Sequence, residues 1–374
     1  MRICFVVNEC SFFYSHRFEL AKKLGSLAEV FVITDYENTD IQIIKKIQAA
    51  NIKLQHVKKR SSTKGLLGLV LYFYRLLIAI KNIQPKAVFF VTLEISIIGV
   101  MVGWILRRVH SFYLITGFGI YLFGNRFKDR LFYAAYKGIF RSTKLNKNSK
   151  FIFQNLDDKE RFINSGFSNQ ANCELIFGSG IQQSKKRIFD DNKHSAISFL
   201  FSSRLVVAKG ITEFLEAARI IKKKYPEVQI NISGRYDFND ADKISEELYK
   251  KINDLNYHGE IPHDEMLEYY YKSDIFVLPS YGEGLPKAAL EAAASSMPLI
   301  LSETSGCKEC LIQKENGIFS EIKNAKSIVN AMEYFISNPG EIKRMGENSK
   351  DLINEKFSIE KISNSYSKLL SNIK

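Results

Sequence analysis

Two carboxylates and two cations stand out by type and spacing. Glu283 lies in the stretch PSYGEGLPKAALEAAA at 279–294, between Gly282 and Gly284, and Glu291 follows further along the same stretch. An apolar run ends at Pro279, and the glycines permit a tight turn. A helix is expected from Leu285 or Pro286, because proline fits a first turn where no N–H is needed. Amides at such a start, together with the helix dipole, make an anion site suited to a diphosphate. Glu291 then falls roughly two turns into that helix, placed to accept hydrogen bonds from sugar hydroxyls. Upstream, the loop FSSRLVVAKG at 201–210 carries Arg204 and Lys209 out of an apolar run and into another helix start. A forked guanidinium and a point-charge ammonium together suit a pyrophosphate. Each feature alone has a plain reading: a solvated loop carboxylate, a helix-face residue, two surface cations. Their shared place on one sheet edge favours the chemical one.

The elements that must position these groups are legible as alternating signals. Apolar runs at 3–7, 30–34, 88–92, 112–116 and 151–154 read as buried strands, followed later by 198–202, 229–233, 275–279 and 298–301. Helical segments lie between them, such as 18–27, 41–51 and 66–83, then 212–224, 241–253, 264–273 and 285–296. This alternation predicts α/β layers on parallel sheets. The GSG at 178–180 and the polar stretch 182–195 read as a linker. Two doubly wound domains bind ligands beyond the carboxyl ends of their strands, so a cleft between facing domains is expected.

Composition sets outer limits. The chain has 374 residues, 46% apolar and 25% charged, which excludes a disordered, collagenous or disulfide-stapled protein. One core stops growing at roughly 250–300 residues, so two domains are favoured. Its 53 Lys and Arg against 40 Asp and Glu give a formal charge of +13, unevenly spread. Residues 1–185 hold 27 basic and 12 acidic groups, net +15, whereas the remainder holds 26 and 28, net −2. Between 41 and 150 there are 20 basic residues and only Glu94 and Asp129 as acids. A cationic half points to phospholipid headgroups or nucleic acid, against a merely solubilising surface. No nucleic-acid-binding motif accompanies it.

Five scattered cysteines fit a reducing compartment. The CxxC of Cys307 and Cys310 has no second pair and no neighbouring histidine, so a metal or redox role is not expected. No signal peptide is recognisable. The run at 87–106 is long enough to span a bilayer, yet Glu94 sits in its middle, at a cost of about 2.5–3.5 kcal/mol in lipid. A buried strand followed by an apolar helix explains it better. The apolar stretch at 66–80 is shorter and carries Arg75. The chain reads as soluble but membrane-seeking.

Arg204 and Lys209-Gly, followed by Glu283 and Glu291 in an E-x7-E spacing, resemble the retaining glycosyltransferases of family 4, which have the GT-B fold. The resemblance spans nearly the whole chain. NECSFFYSHR at 8–17, TGFG at 116–119, FQNLDD at 153–158, GSG at 178–180, HGE at 258–260 and SGCKE at 305–309 are similar to the branch that extends lipid-linked sugars for O-antigen, capsule or protein glycans. The resemblance implies two Rossmann-like doubly wound domains facing each other across a cleft. They would be an acceptor-binding, membrane-facing domain at 1–185 and a nucleotide-sugar domain at 195–357, with a helix at 358–374 crossing back to the first.

It also implies roles. Arg204 and Lys209 would hold the donor diphosphate and stabilise the leaving UDP, with Glu283 on a hydroxyl of the transferred sugar and Glu291 on the ribose. Backbone donors at Gly284 and Leu285 would touch phosphate or sugar, and the loop of His258, Gly259 and Ile261 would lie against the base. No metal is expected, because the two cations can neutralise the diphosphate. The first loop, VNECSF at 7–12, lacks the family's paired glycines, and Thr116 and Gly117 stand where the family has a histidine. His110 starts its strand and reads as structural. His16 and Arg17, with Thr116 and Gly117, are candidates on the acceptor side.

The implied partners are a nucleotide sugar, an undecaprenyl-diphosphate-linked saccharide and the anionic inner face of the bacterial plasma membrane, with no nucleic acid. Lys58-Lys-Arg60, Arg107 with Arg108, and the segment 126–132, which interleaves Arg126, Lys128 and Arg130 with Phe127, Leu131 and Phe132, are the membrane candidates. A GDP-sugar donor, a soluble acceptor, or a non-enzymatic basic binding protein are the alternatives.

Overall fold

The computed structural model describes residues 1–58, 65–117, 127–184, 196–240, 242–252 and 255–373, with the backbone alone for 65, 66, 127–132 and 145. The chain divides into two compact units, Met1–Gly180 with Ile359–Lys374, and Ile181–Ser358. In the first unit the order is β1 (Arg2–Glu9), α1 (Cys10–Leu24), β2 (Glu29–Asp35), α2 (Ile41–Ala49), β3 (Lys53–His56), α3 (Gly65–Ile83), β4 (Ala87–Val91) and α4 (Leu93–Ile105). There follow β5 (His110–Ile115), α5 (Phe127–Arg141), β6 (Ser149–Phe153), α6 (Leu156–Asn164) and β7 (Cys173–Leu175). The second unit holds β8 (Ser198–Ser202), α7 (Ile211–Lys224), β9 (Gln229–Ser233), α8 (Glu246–Ile252), β10 (Asn256–Tyr257), α9 (Met266–Lys272), β11 (Ile275–Leu278), α10 (Lys287–Ala294), β12 (Leu299–Ser302), α11 (Ser305–Lys308), β13 (Gly317–Ser320), α12 (Ala325–Ser337) and α13 (Gly340–Leu352). The closing helix, α14 (Ile359–Ser371), belongs to the first unit.

Among the described residues the first sheet has the order β3-β2-β1-β4-β5-β6-β7 and the second β10-β9-β8-β11-β12-β13, with every pairing parallel. Both are doubly wound. Their central strands are buried on both faces, as β4 and β11 show, which is why these read as unbroken apolar runs rather than alternations. The two-residue period still sorts β1: Cys4 and Val6 enter the core layer beneath α3 and α4. Ile3, Phe5 and Val7 enter the opposite layer, with α1 and α14. Phe5, Phe89 and Phe112 stack across β1, β4 and β5, with ring centroids 4.9 Å apart at each step.

Several expected boundaries move. Helix α1 begins at Cys10, directly after β1, so residues 7–12 form no loop and His16 and Arg17 lie on a helix. Nothing in CSFFYSHR breaks a helix, and the apolar period runs through it. The run at 87–106 is β4 followed by α4. Helix α8 is shorter than the segment expected over 241–253, whose ends, like the linker at 185–195, Lys59, Arg60, Phe118, Gly119 and Arg126, lie outside the described residues. The side chains of Phe127, Lys128, Arg130, Leu131 and Phe132 lie outside them as well. No described helix is long and apolar enough to cross a membrane.

Candidate active site

In the second unit the strand order reverses between neighbouring β8 and β11, and the crevice beyond the carboxyl ends at such a reversal is where doubly wound sheets bind ligands. Lys209 follows β8 and Glu283 follows β11, and they meet across this point: Nζ lies 2.6 Å from Oε1, with the side chains only 20% and 10% exposed. The backbone holds the two loops together. The Tyr281 N–H donates to the Ala208 carbonyl at 2.9 Å, and the Ser280 hydroxyl donates to the same oxygen at 3.1 Å. Gly210, at φ 71°, closes the Lys209 loop, and a Cβ there would lie 1.9 Å from the Pro279 oxygen. Behind Glu283, the Gly306 N–H donates to the Glu283 carbonyl at 3.1 Å. A Cβ on Gly306 would meet the Glu283 and Gly284 oxygens at 2.6 and 2.5 Å.

Glu291 forms a separate cluster. Lys287 Nζ lies 2.5 Å from its Oε1, and the Tyr270 hydroxyl donates to Oε2 at 3.3 Å. His263 Nδ1 stands 3.8 Å from the carboxylate. Burial, and then the Glu291 charge, push the Tyr270 phenol well above its ordinary pKa, so it stays a donor. The helix here starts later than the sequence implies. Pro286 is the cap and Lys287 the first helical residue, which puts Glu291 just over one turn in rather than two. Leu285 and Gly284 therefore belong to the approach to α10. Arg204 is 65% exposed and pairs with Asp240 at 3.0 Å, apart from the Lys209–Glu283 contact.

The loop of His258, Gly259 and Ile261 leaves β10. The Gly259 carbonyl accepts from the Gly234 N–H at 2.8 Å, tying it to the end of β9. His258 lies 3.3 Å from Asn231 Oδ1 and edge-on to Tyr269. Burial, and secondarily Lys272, depress its pKa and favour the neutral ring. Cys307 and Cys310 are buried free thiols. Burial, reinforced by Glu283, raises Cys307 to about 12.

The first unit reverses its strand order between β1 and β4. There Asn8 donates to Glu94 at 3.4 Å, and Thr92, just past β4, has φ 83°, a strained conformation for a β-branched residue. Thr116 and Gly117 follow β5 at the same sheet edge. His16 stacks on Phe12 at 4.4 Å, with Nδ1 2.7 Å from the Ser15 hydroxyl. Arg17 does not reach solvent. It is 2% exposed beside Tyr366 of α14, and its Nε and Nη1 have no hydrogen-bond partner among the described residues. Its place on the inward face of α1 explains this departure from the acceptor-side expectation.

Sequence reasoning missed Tyr270, Lys287, His263, Gly306 and Glu94. Lys287 was accessible, being four residues before Glu291 on one helix face. The others depend on which elements neighbour one another.

Comparison with known proteins fits this geometry. A model for glycosyl transferases group 1 matches residues 183–352, and one for glycosyl transferase 4-like domains matches 2–155. An N,N'-diacetylbacillosaminyl-diphospho-undecaprenol alpha-1,3-N-acetylgalactosaminyltransferase of Campylobacter jejuni is 26% identical over 88% of this chain and 87% of its own. A capsular polysaccharide biosynthesis glycosyltransferase, CapM, of Staphylococcus aureus is 25% identical over 86% and 87%. The structure of Anabaena HepE in complex with UDP and glucose superimposes with a TM-score of 0.78 at 14% identity, covering all of both chains. With one model on each Rossmann-like unit, the chain belongs to the GT-B glycosyltransferases that join a family-4-like N-terminal domain to a group 1 C-terminal domain.

Proposed function

We propose that the protein is a retaining transferase that moves a hexose or N-acetylhexosamine from a UDP-sugar to an undecaprenyl-diphosphate-linked saccharide. It would serve surface-polysaccharide or related glycan assembly, peripherally bound at the cytoplasmic face of the bacterial plasma membrane. The observation that carries the reading is the Lys209–Glu283 pair at the strand-order reversal. It sets a cation for a diphosphate against a carboxylate for a sugar hydroxyl. The lipid-linked acceptor is supported by the relative named for a diphospho-undecaprenol substrate and by the cationic first half.

In this reading Lys209, joined by Arg204, binds the donor diphosphate, and the amides approaching α10 at Gly284 and Leu285 add donors. Glu291, oriented by Lys287 and Tyr270, accepts from the ribose hydroxyls, and the His258–Ile261 loop borders the base. The bond between the anomeric carbon and the phosphate oxygen breaks while the acceptor oxygen bonds to the same face of that carbon. The acceptor proton passes to the departing phosphate oxygen. The protein contributes positioning and charge stabilisation, and the two cations do the work a metal would otherwise do. Asn8, Glu94, Thr116 and Gly117 border the acceptor, with His16 nearby on α1.

The test is incubation with labelled UDP- and GDP-sugars and a bacterial lipid-linked acceptor, with and without EDTA, beside Glu291→Ala. Labelled lipid from a UDP-sugar, lost in the variant and indifferent to EDTA, is the expected result. Transfer only from a GDP-sugar, transfer abolished by EDTA, or product of inverted anomeric configuration would overturn the corresponding part. No transfer and no thermal stabilisation by any nucleotide would overturn the donor-site assignment.

A further inference from the structure

Helix α3 carries a feature the transfer reaction leaves unused. Its inward positions, including Tyr72, Leu76, Ile80 and Ile83, enter the core. Its outward positions recur at helical spacing and are also apolar: Leu67, Val70, Leu71, Tyr74 and Ile78 are exposed by 66, 54, 38, 61 and 43%. A surface helix ordinarily presents charge on that side. A contiguous apolar stripe of this kind marks an interaction surface.

Charge identifies the occupant. Between residues 41 and 93 the chain has ten Lys and Arg and no Asp or Glu. Beside the stripe lies a hollow of about 440 Å³ whose lining includes His56, Lys58, Arg75 and Ile78. Asp35 contacts His56 at 3.3 Å and Glu37 pairs with Lys58 at 2.9 Å, whereas Arg75 has no ion-pair partner among the described residues. Exposed apolar side chains beside Arg75, on a helix that itself carries no acidic residue, complement the acyl–headgroup boundary of an anionic leaflet. Helix α3 also follows β3 from the carboxyl edge of the sheet, so its apolar first turns belong to the edge that carries Asn8 and Glu94.

We propose that the outward face of α3 is the membrane-docking surface: Leu67, Val70, Leu71, Tyr74 and Ile78 enter the lipid boundary while Arg75 and Lys58 meet lipid phosphates. The proposal rests on the reading of the acceptor as lipid-linked, and it assigns the surface that brings the enzyme to it.

The experiment is flotation of the full chain with phosphatidylcholine vesicles, with and without phosphatidylglycerol and free of any saccharide acceptor. Wild-type protein is expected to float with the anionic vesicles. The double variant Val70→Asp/Tyr74→Asp should lose about tenfold or more of this binding, and Arg75→Glu should lose a smaller, salt-sensitive part. Both sites are exposed, and unchanged circular dichroism and UDP-induced thermal stabilisation check the fold. Flotation of the double variant like wild type would overturn the proposal, as would equal flotation with neutral vesicles. A wild-type dimer that the variant converts to monomer, with flotation intact, would overturn it in favour of self-association. Loss of UDP stabilisation in wild type would instead strike the transferase reading, since flotation is read without donor or acceptor.

Discussion

The two units repeat one topology and treat its reversal point in opposite ways. In the second, a half-buried ion pair at 2.6 Å spans the reversal, and backbone hydrogen bonds lock both contributing loops. In the first, the corresponding place holds a neutral–charged contact of 3.4 Å between Asn8 and an exposed Glu94, beside a strained Thr92. Parallel sheets supply the crevice, and side-chain chemistry decides its ligand. In the function proposed above, the prearranged charges would serve the donor diphosphate, and the sparsely charged edge the hydroxyls of the acceptor saccharide.

Lys209→Ala gives the sharpest test of that contrast. It removes the cation and strands a carboxylate that is only 10% exposed, and kcat/KM for transfer should fall about 10²–10³-fold. A loss below about threefold, or one confined to the acceptor KM, would break the assignment of this crevice to the donor. Next comes Gly306→Ala. Its Cβ must displace the Glu283 and Gly284 carbonyls, at a cost of about 1–3 kcal/mol, so activity should fall roughly ten- to a hundredfold while secondary structure persists. Normal kinetics would show that Glu283 does not depend on this backing.

Tyr270→Phe deletes one hydrogen bond to Glu291, and the donor KM should rise about tenfold with kcat little changed. On the first unit's side, Glu94→Gln should raise the acceptor KM several-fold, by about 1 kcal/mol, and leave donor hydrolysis alone. If Glu94→Gln instead matched Lys209→Ala in donor turnover, the division of labour between the two edges would fail.

The smallest effect is expected at Arg17. A buried guanidinium with two unpartnered nitrogens is poorly compensated, so Arg17→Met should unfold at the same temperature as wild type or somewhat higher, with transfer kinetics intact. A large loss of acceptor turnover would restore Arg17 to the site.

The strands of both sheets were readable because burial on two faces leaves continuous apolar runs, as in AVFFV of β4 and IFVL of β11. The edge strands were not. β3 reads KLQH and is mostly exposed, and β10 is the dipeptide Asn256-Tyr257, so neither has an apolar signature. The approach of Lys209 to Glu283 was foreseeable from both residues following central strands of one sheet. Its tightness depends on Ser280, Tyr281 and Ala208, whose contacts are set by loop geometry rather than by residue type. The early start of α1 went unread because strand and helix adjoin with no glycine or proline between them. That omission made Arg17 look accessible.

Helix α14 has a consequence for how the chain is made. Ile359, Ile362, Tyr366 and Leu370 are buried in the layer that also contains Ile3, Phe5 and Phe13, yet they are separated from those residues by the whole second unit. On the ribosome the first sheet is complete at Leu175 but must wait for the whole of Ile181–Ser358, on the order of ten seconds or more at ordinary elongation rates, before its last covering helix appears. Until then the slot for Tyr366 is open and Arg17 lacks its neighbouring phenol. The nascent N-terminal unit is therefore a natural client for holding chaperones, and a chain cut short before Ile359 should be cleared as unfinished even though its second unit is complete.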